Sequence, residues 1–385
     1  MLTDYSLKMP RNVIAGEHAM EQLSTIIKND VQKIVIFTDK GILGAGLVAQ
    51  PQALIEEAGI DYTIISDIPA EPSYLEAQMM IDECKKENAD LIIAIGGGSV
   101  MDVAKLASIL TTDDYTVKDL LDDPLLAKKQ TTTLMIPTTA GTGSEATPNS
   151  IVGVPEKELK IGIVNPEMIA DYVILESRMI KNLPKAIAAA TGVDALCHAI
   201  ECFTSAKANP ISNTFALEAL DLIMNNIIEA CTNPEALEAK SNMLLGSFYA
   251  GVAITSSGTT AVHALSYPLG GKYHIPHGVS NAILLTPVMR FNEPAIKDLL
   301  AAAYDRVIKD GNKDLSIDEK AHYMINQLEE IVEVLEIPTS LKTFNVPEED
   351  LAGLVAAGME VTRLLVNNQR EVTPEDARKI YLEIL

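Results

Sequence analysis

The chain has 385 residues, 48% of them hydrophobic and 22% charged, a composition that excludes a disordered or fibrous protein and leaves room for two domains with cores of their own. Against 30 basic side chains stand 53 acidic ones, a net charge of −23, which works against attraction to nucleic acid or anionic membranes. Cys84, Cys197, Cys202 and Cys231 form no CxxC pair. With no basic-then-apolar leader and no apolar run judged long enough to span a bilayer, the expected setting is the reducing cytoplasm.

In chain order, short apolar strands are expected at 33–37, 62–66, 91–95 and 132–136. Amphipathic runs at 51–58 and 73–87 fall between them. Strand and helix in alternation predict a parallel sheet with helices on both faces. After a last strand near 171–175 the pattern changes, and helical periodicity takes over at 184–203, 212–231, 234–253, 281–291, 317–334 and beyond Pro374. The expected organisation is an α/β domain at 1–180 and an all-helical domain at 181–385. Proteins of this shape usually hold ligands in the crevice between domains.

The helical half carries the most informative residues. Asp194 and His198 are four apart in a helical run, so both project from one face. His263 lies in a later helical stretch, and His277 follows Pro276 in a loop. Three imidazoles and one carboxylate can hold a divalent metal, and the lack of cysteine argues against a closed structural zinc site. Few protein ligands leave room for a substrate oxygen, as Lewis-acid catalysis requires. Asp194 and His198 by themselves fit a satisfied polar pair in a core equally well.

Two loops in the α/β half follow predicted strands. In Gly96-Gly97-Gly98-Ser99 a buried strand runs into glycines and then a helix, a place where backbone and helix dipole can approach a phosphate. It is neither a GxGxxG fingerprint nor a Walker A loop, and a tight turn is its plain alternative. Asp102, expected in the first helical turn, is counted with the cofactor-binding residues, simple dipole compensation being its plain alternative. The second loop, Pro137-Thr138-Thr139-Ala140-Gly141-Thr142-Gly143-Ser144-Glu145, offers small donors for phosphate and ribose oxygens, or an ordinary turn-rich surface. Both loops follow the C-terminal ends of parallel strands, where open α/β sheets bind ligands. Asp39, beyond the strand at 33–37, is placed to accept from an adenosine ribose, although an aspartate also simply opens turns.

These motifs together resemble the iron-dependent (group III) alcohol dehydrogenases, and within them the branch containing lactaldehyde reductase. The match rests on Gly96 to Ser99 with Asp102, on Pro137 to Glu145, on Ala190-Thr191-Gly192-Val193-Asp194-Ala195-Leu196-Cys197-His198-Ala199-Ile200-Glu201, and on His263 through Pro276-His277-Gly278, and it spans essentially the whole chain. The resemblance implies a Rossmann-like domain joined to a helical domain, the dehydroquinate synthase-like fold, with the active site between them. By the same resemblance, Asp194, His198, His263 and His277 are the metal ligands, and Gly97, Gly98 and Ser99 are the pyrophosphate loop. Thr138, Thr139, Thr142 and Lys160 are cofactor contacts, and Asp39 marks NAD preference. Two departures stand out. The histidine that many members carry four residues after the third ligand is Tyr267 here, and an Asn-Pro pair appears as Glu71-Pro72.

The expected activity is interconversion of a small primary alcohol and its aldehyde by hydride transfer with NAD(H). A divalent metal, Fe²⁺ before Zn²⁺, is the Lewis acid. Tyr267 and His274 are the candidates for the proton path, although His274 reads first as an exposed loop histidine. Alternatives are a glycerol-type polyol dehydrogenase, a more distant dehydroquinate-synthase-like enzyme, and a metal- and nucleotide-binding protein without turnover. Asn149, Ile254 and the polar run 255–260 are expected to line the substrate pocket. Partners are the small substrate and, by resemblance, a second copy in a homodimer, with no nucleic acid and no membrane.

Overall fold

The computed structural model describes residues 4–28, 31–157 and 159–385. They form two compact units, one of Lys8–Leu183 and one of Pro184–Leu385 that also takes in the described N-terminal residues up to Leu7.

The first unit contains eight strands: β1 (Asn12–Ala15), β2 (Lys33–Phe37), β3 (Asp61–Ile65), β4 (Leu91–Gly96), β5 (Thr132–Pro137), β6 (Asn149–Val154), β7 (Leu159–Val164) and β8 (Tyr172–Leu175). Six of them make a wholly parallel sheet in the order β1-β8-β5-β4-β2-β3, and β6 and β7 pair as a separate antiparallel hairpin. Central β4 is buried at every position, which explains its unbroken apolar run. From β2 the chain steps outward to β3; from β4 it steps the other way to β5. The order therefore reverses between β2 and β4, and the crevice beyond their C-terminal ends is where such sheets bind ligands. Asp39 lies beyond β2 and Gly97 beyond β4.

Three helices of this unit matter below: α1 (Ala49–Glu57), α2 (Tyr74–Glu87) and α3 (Gly98–Ile109). Ser73 and Glu76 form a capping box that starts α2, and Asn88 stops it in the left-handed conformation, φ 50°. The pattern reading did not include β1, β6 and β7. Strand β1 is four residues long and is placed only by its ladder with β8. Ser150 and Gly153 dilute the apolar signal of β6, and pairing with β7 completes it.

The second unit is helical. Its longer helices are α4 (Lys185–Thr204), α5 (Pro210–Met224), α6 (Leu237–Ser257), α7 (Ala261–Tyr273), α8 (His277–Val307), α9 (Ile317–Val334), α10 (Leu351–Glu360) and α11 (Pro374–Ile384). Helix α4 packs against α5, α6 and α8. It is long and apolar enough to cross a membrane, contrary to the expectation that no run reached that length, but 78% of its apolar window is buried inside the protein. A helix apolar all round is a core helix when the surrounding elements cover it.

Two helical boundaries moved. The run expected at 212–231 breaks at Asn225-Asn226 into α5 and a short turn, Ile227–Thr232. The helix expected at 281–291 extends over His277–Val307 and continues through Pro287 and Pro294. Each proline deletes a backbone hydrogen bond at a cost of about 3 kcal/mol. Residues 282–289 are all buried, and that packing outweighs the local loss.

Candidate active site

Helix α4 presents Asp194, His198 and Glu201 at i, i+4 and i+7, a single face, and all three are buried. Helix α7 supplies buried His263, and His277 is the first residue of α8, following Pro276. Gly278 makes that approach possible: a Cβ there would stand 2.1 Å from the Ala190 carbonyl oxygen of α4. Asp194 Oδ1 lies 3.6 Å from Nε2 of both His263 and His277 and 3.9 Å from Nε2 of His198. Ligands about 2.1 Å from a tetrahedral ion stand about 3.4 Å from each other. The spacing therefore suits one divalent ion.

Glu201 orients this cage from behind. One carboxylate oxygen accepts from the Thr260 N–H (3.0 Å), the Thr260 hydroxyl (2.6 Å) and the Val262 N–H (2.8 Å). The other bonds His263 Nδ1, which leaves Nε2 facing Asp194 as a carboxylate partner of a metal-binding histidine does. Burial opposes charge at His263, but Glu201 and Asp194 overcome it and raise the imidazole to about 9. Burial likewise works against the Asp194 carboxylate, yet the three imidazoles hold it well below the usual range.

Asn281, one turn after His277, places Nδ2 2.7 Å from Asp194 Oδ1, 3.1 Å from His263 Nε2 and 3.2 Å from His277 Nε2. Its amide oxygen is buried without a hydrogen-bond partner, an orphan that fits a centre built around a further polar group. Neither Glu201 nor Asn281 had been assigned a role from sequence. The available signal was periodicity: Glu201 extends the polar face of an otherwise apolar helix, and Asn281 repeats His277 at i+4.

The remaining candidates separate. The Tyr267 ring centroid lies 6.0 Å from that of His277. Burial raises its phenol, while the positive charge of Arg363 acts the other way. His274 is exposed and ends α7 in the left-handed conformation, φ 54°; among the described residues no hydrogen bond or ring contact joins it to the cluster. Four hydroxyls of the polar run bond within the protein itself. Thr255 donates to Val252 O, Ser256 to Ser6 O, Ser257 to Ala253 O and Thr260 to Glu201.

In the α/β unit the two expected loops lie together. A Cβ on Gly97 would stand 3.6 Å from the Thr139 side chain, and one on Gly98 would strike Thr142 Cγ2 at 2.8 Å. The Thr138 N–H donates to Gly96 O at 3.0 Å. The hydroxyls of Thr38 and Thr138, beyond β2 and β5, are buried without partners. Orphan hydroxyls beside a glycine-lined helix N-terminus suit an oxygen-rich anionic ligand.

Ser99 accepts from the Glu71 N–H at 3.0 Å, and Glu71, at φ 54°, pairs with Lys160 at 2.7 Å. The departure at Glu71-Pro72 thus bridges two expected cofactor residues. Asp39 caps a short helix by accepting from the Ile42 N–H at 2.9 Å. Neighbouring Lys40 turns to Asp67, 2.6 Å away. Asp102 is committed to the protein: it accepts from the Ser144 hydroxyl (2.5 Å) and the Ile151 N–H (2.9 Å) and pairs with buried Lys105 (2.9 Å). Lys105 also donates to Ser144 O and Asn149 O. The pair ties the second loop and β6 to α3.

Comparison with known proteins matches both units. Residues 10–177 fit the model of the iron-containing alcohol dehydrogenases, and residues 188–385 fit the C-terminal model of the Fe-containing alcohol dehydrogenase family. Long-chain-alcohol dehydrogenase 1 of Geobacillus thermodenitrificans is 33% identical over 371 residues, covering 95% of this chain and 93% of that protein. Lactaldehyde reductase of Escherichia coli is 31% identical over 372 residues, covering 95% and 96%. Among solved structures, sulfoacetaldehyde reductase from Bifidobacterium kashiwanohense in complex with NAD+ superposes with a TM-score of 0.87 at 28% identity, covering 100% of this chain and 99% of that one. The parallel-sheet unit, the helical unit and the sequence likeness along nearly the whole chain agree, and the protein belongs to the iron-containing alcohol dehydrogenase family.

Proposed function

We propose that this oxidoreductase interconverts a small primary alcohol and its aldehyde with NAD(H) at a divalent metal, Fe²⁺ before Zn²⁺, held by Asp194, His198, His263 and His277. The observation that carries the reading is the convergence of three Nε2 atoms on Asp194 Oδ1, with Glu201 orienting His263. The helical unit that begins at Pro184 is the metal-binding domain in this reading, and the Lys8–Leu183 unit is the dinucleotide-binding domain. In this reading the protein works in the cytoplasm as a homodimer, supported by its free cysteines and by the family resemblance.

The bound metal would act as a Lewis acid on the substrate oxygen, and NAD(H) would carry the hydride. The chain's own residues do the positioning. Gly97 and Gly98 bring backbone N–H groups to the N-terminus of α3, with Thr138, Thr139 and Thr142 supplying small donors beside them. Asp39 offers acceptor oxygens for a ribose. Tyr267, its phenol raised by burial, stays neutral near pH 7 and so can donate or relay a proton but makes a poor base. His274, exposed at the end of α7, plays a smaller part. Asp102 acts by holding the second loop in place.

The test is metal analysis of anaerobically purified protein alongside NADH oxidation by a panel of short aldehydes. The natural chain should hold about one metal per protomer and oxidise NADH, and His263→Ala should lose metal and activity together while remaining folded. Full turnover by metal-free His263→Ala would sink the assignment.

A further inference from the structure

Residues 67–73 run as a strap from beyond β3 to the start of α2, along the rim where the sheet order reverses. Three contacts fix its path. Asp67 bridges to Asp39 beyond β2, the Glu71 N–H donates to the Ser99 hydroxyl of α3 at 3.0 Å, and the Gly153 N–H of β6 donates to Pro72 O at 2.9 Å. Glu71 lies in the left-handed conformation, φ 54°, which glutamate adopts only at a cost and asparagine or glycine more readily. Its carboxylate pairs with Lys160 of β7 at 2.7 Å, where the lysine side chain is only 13% exposed. Nearer the start of the strap, Asp67 pairs with Lys40 at 2.6 Å. Two cations of the rim are thus matched to carboxylates of one strap.

The same rim is suited to an anion. Helix α3 begins at Gly97 without a side-chain cap, and the buried hydroxyls of Thr38 and Thr138 beyond β2 and β5 lack partners. A helix end of this kind favours negative charge. Glu71, bonded to the second residue of α3, brings a carboxylate to that end in a strained backbone conformation, and such strain persists where it serves a function. We propose that Glu71 sets the strength of dinucleotide binding: by neutralising Lys160 it loosens the hold on the cofactor's pyrophosphate, so that the cofactor leaves quickly after hydride transfer. The proposal rests on the NAD(H) reading above. Its use is kinetic, because cofactor or product release sets the turnover of many enzymes.

Binding measurements on the full chain test this without turnover. NADH is titrated by fluorescence, and ADP and adenosine by calorimetry, in the natural chain, Glu71→Gln, Glu71→Asn and Lys160→Met. Glutamine removes the charge and keeps the backbone strain, whereas asparagine removes both. The two Glu71 variants should bind NADH and ADP about threefold or more tightly, with a gain that shrinks as salt is added. In stopped flow, NADH should leave them more slowly by the same factor. Lys160→Met should weaken both ligands. Adenosine carries no phosphate and should bind alike to all four proteins.

NADH and ADP bound no more tightly by Glu71→Gln would overturn the proposal, even in an enzyme active on aldehydes. So would an equal gain for adenosine, or a gain confined to Glu71→Asn, because Glu71 would then only shape the strap. Tighter ADP binding by Glu71→Gln in a protein that oxidises NADH with no aldehyde would uphold the role of Glu71 at the anion site and sink the catalytic reading instead. Failure of every variant to bind NADH or ADP would overturn both.

Discussion

Glu201 spends both carboxylate oxygens on the protein, one on Thr260 and Val262 and the other on His263. Its influence on a metal would therefore be exerted through the orientation of His263. Removing such an outer partner typically weakens metal affinity by about 10- to 100-fold. Glu201→Gln should fall in that range in a competitive chelator titration while keeping its helical circular-dichroism signal. Unchanged affinity would show that His263 holds its orientation without help.

Asp39 makes a separate prediction. Its carboxylate sits where the sheet order reverses, and Lys40 is drawn away to Asp67. A dianionic 2′-phosphate would meet the negative charge at close range. NADH should be favoured over NADPH by roughly ten- to a thousandfold in kcat/KM, for a repulsion on the order of 1.4–4 kcal/mol. Asp39→Gly should remove most of that preference, chiefly by improving NADPH use. Equal efficiency with both cofactors in the natural chain would take Asp39 out of the ribose site.

Among secondary elements, the junction of α4 and α8 is the least tolerant. Residue 278 must be glycine because the backbone of α4 occupies the Cβ position, 2.1 Å from Ala190 O. Backbone cannot swing aside as a flexible side chain can. Gly278→Ala should push the start of α8 away from α4 and take His277 with it. The expected result is loss of bound metal together with a fall of several degrees in Tm, read by metal analysis and calorimetry. A Gly278→Ala protein with full metal content would show that the junction yields more than close packing allows.

For the molecule as a whole, one buried acid sets a pH dependence of stability. Glu145 is almost fully buried, and burial raises its carboxyl to about 7, against a smaller opposing effect of Lys105. Between the unfolded value near 4.5 and about 7 the folded state binds a proton that the unfolded state releases. Stability therefore falls as pH rises through that window and levels off above it. At about 1.4 kcal/mol per pKa unit, the effect amounts to a few kcal/mol at most. Glu145→Gln removes the titration, so its Tm should exceed that of the natural chain at pH 8 by more than it does at pH 5. A difference independent of pH would place the Glu145 ionisation outside this range.

Period and punctuation alone determined the division into an α/β half and a helical half. Strand β2 was located residue for residue, β4 and β5 to within one residue, and Asp194 with His198 on one helix face, because these features repeat within a few positions. Features that depend on residues far apart in the chain were decided only in three dimensions. Strand β1 exists through its ladder with β8, about 160 residues away. Helix α8 runs through Pro287 and Pro294 because burial outweighs two lost hydrogen bonds. Asp102, read as a cofactor contact, bonds Ser144, Ile151 and Lys105, and Thr255, Ser256, Ser257 and Thr260 of the polar run turn their hydroxyls onto the backbone and Glu201. Asn281 acquires meaning only from what faces it, Asp194 and the imidazoles of His263 and His277. A local pattern records which way a side chain points; which group it meets is set by packing between elements that the sequence keeps apart.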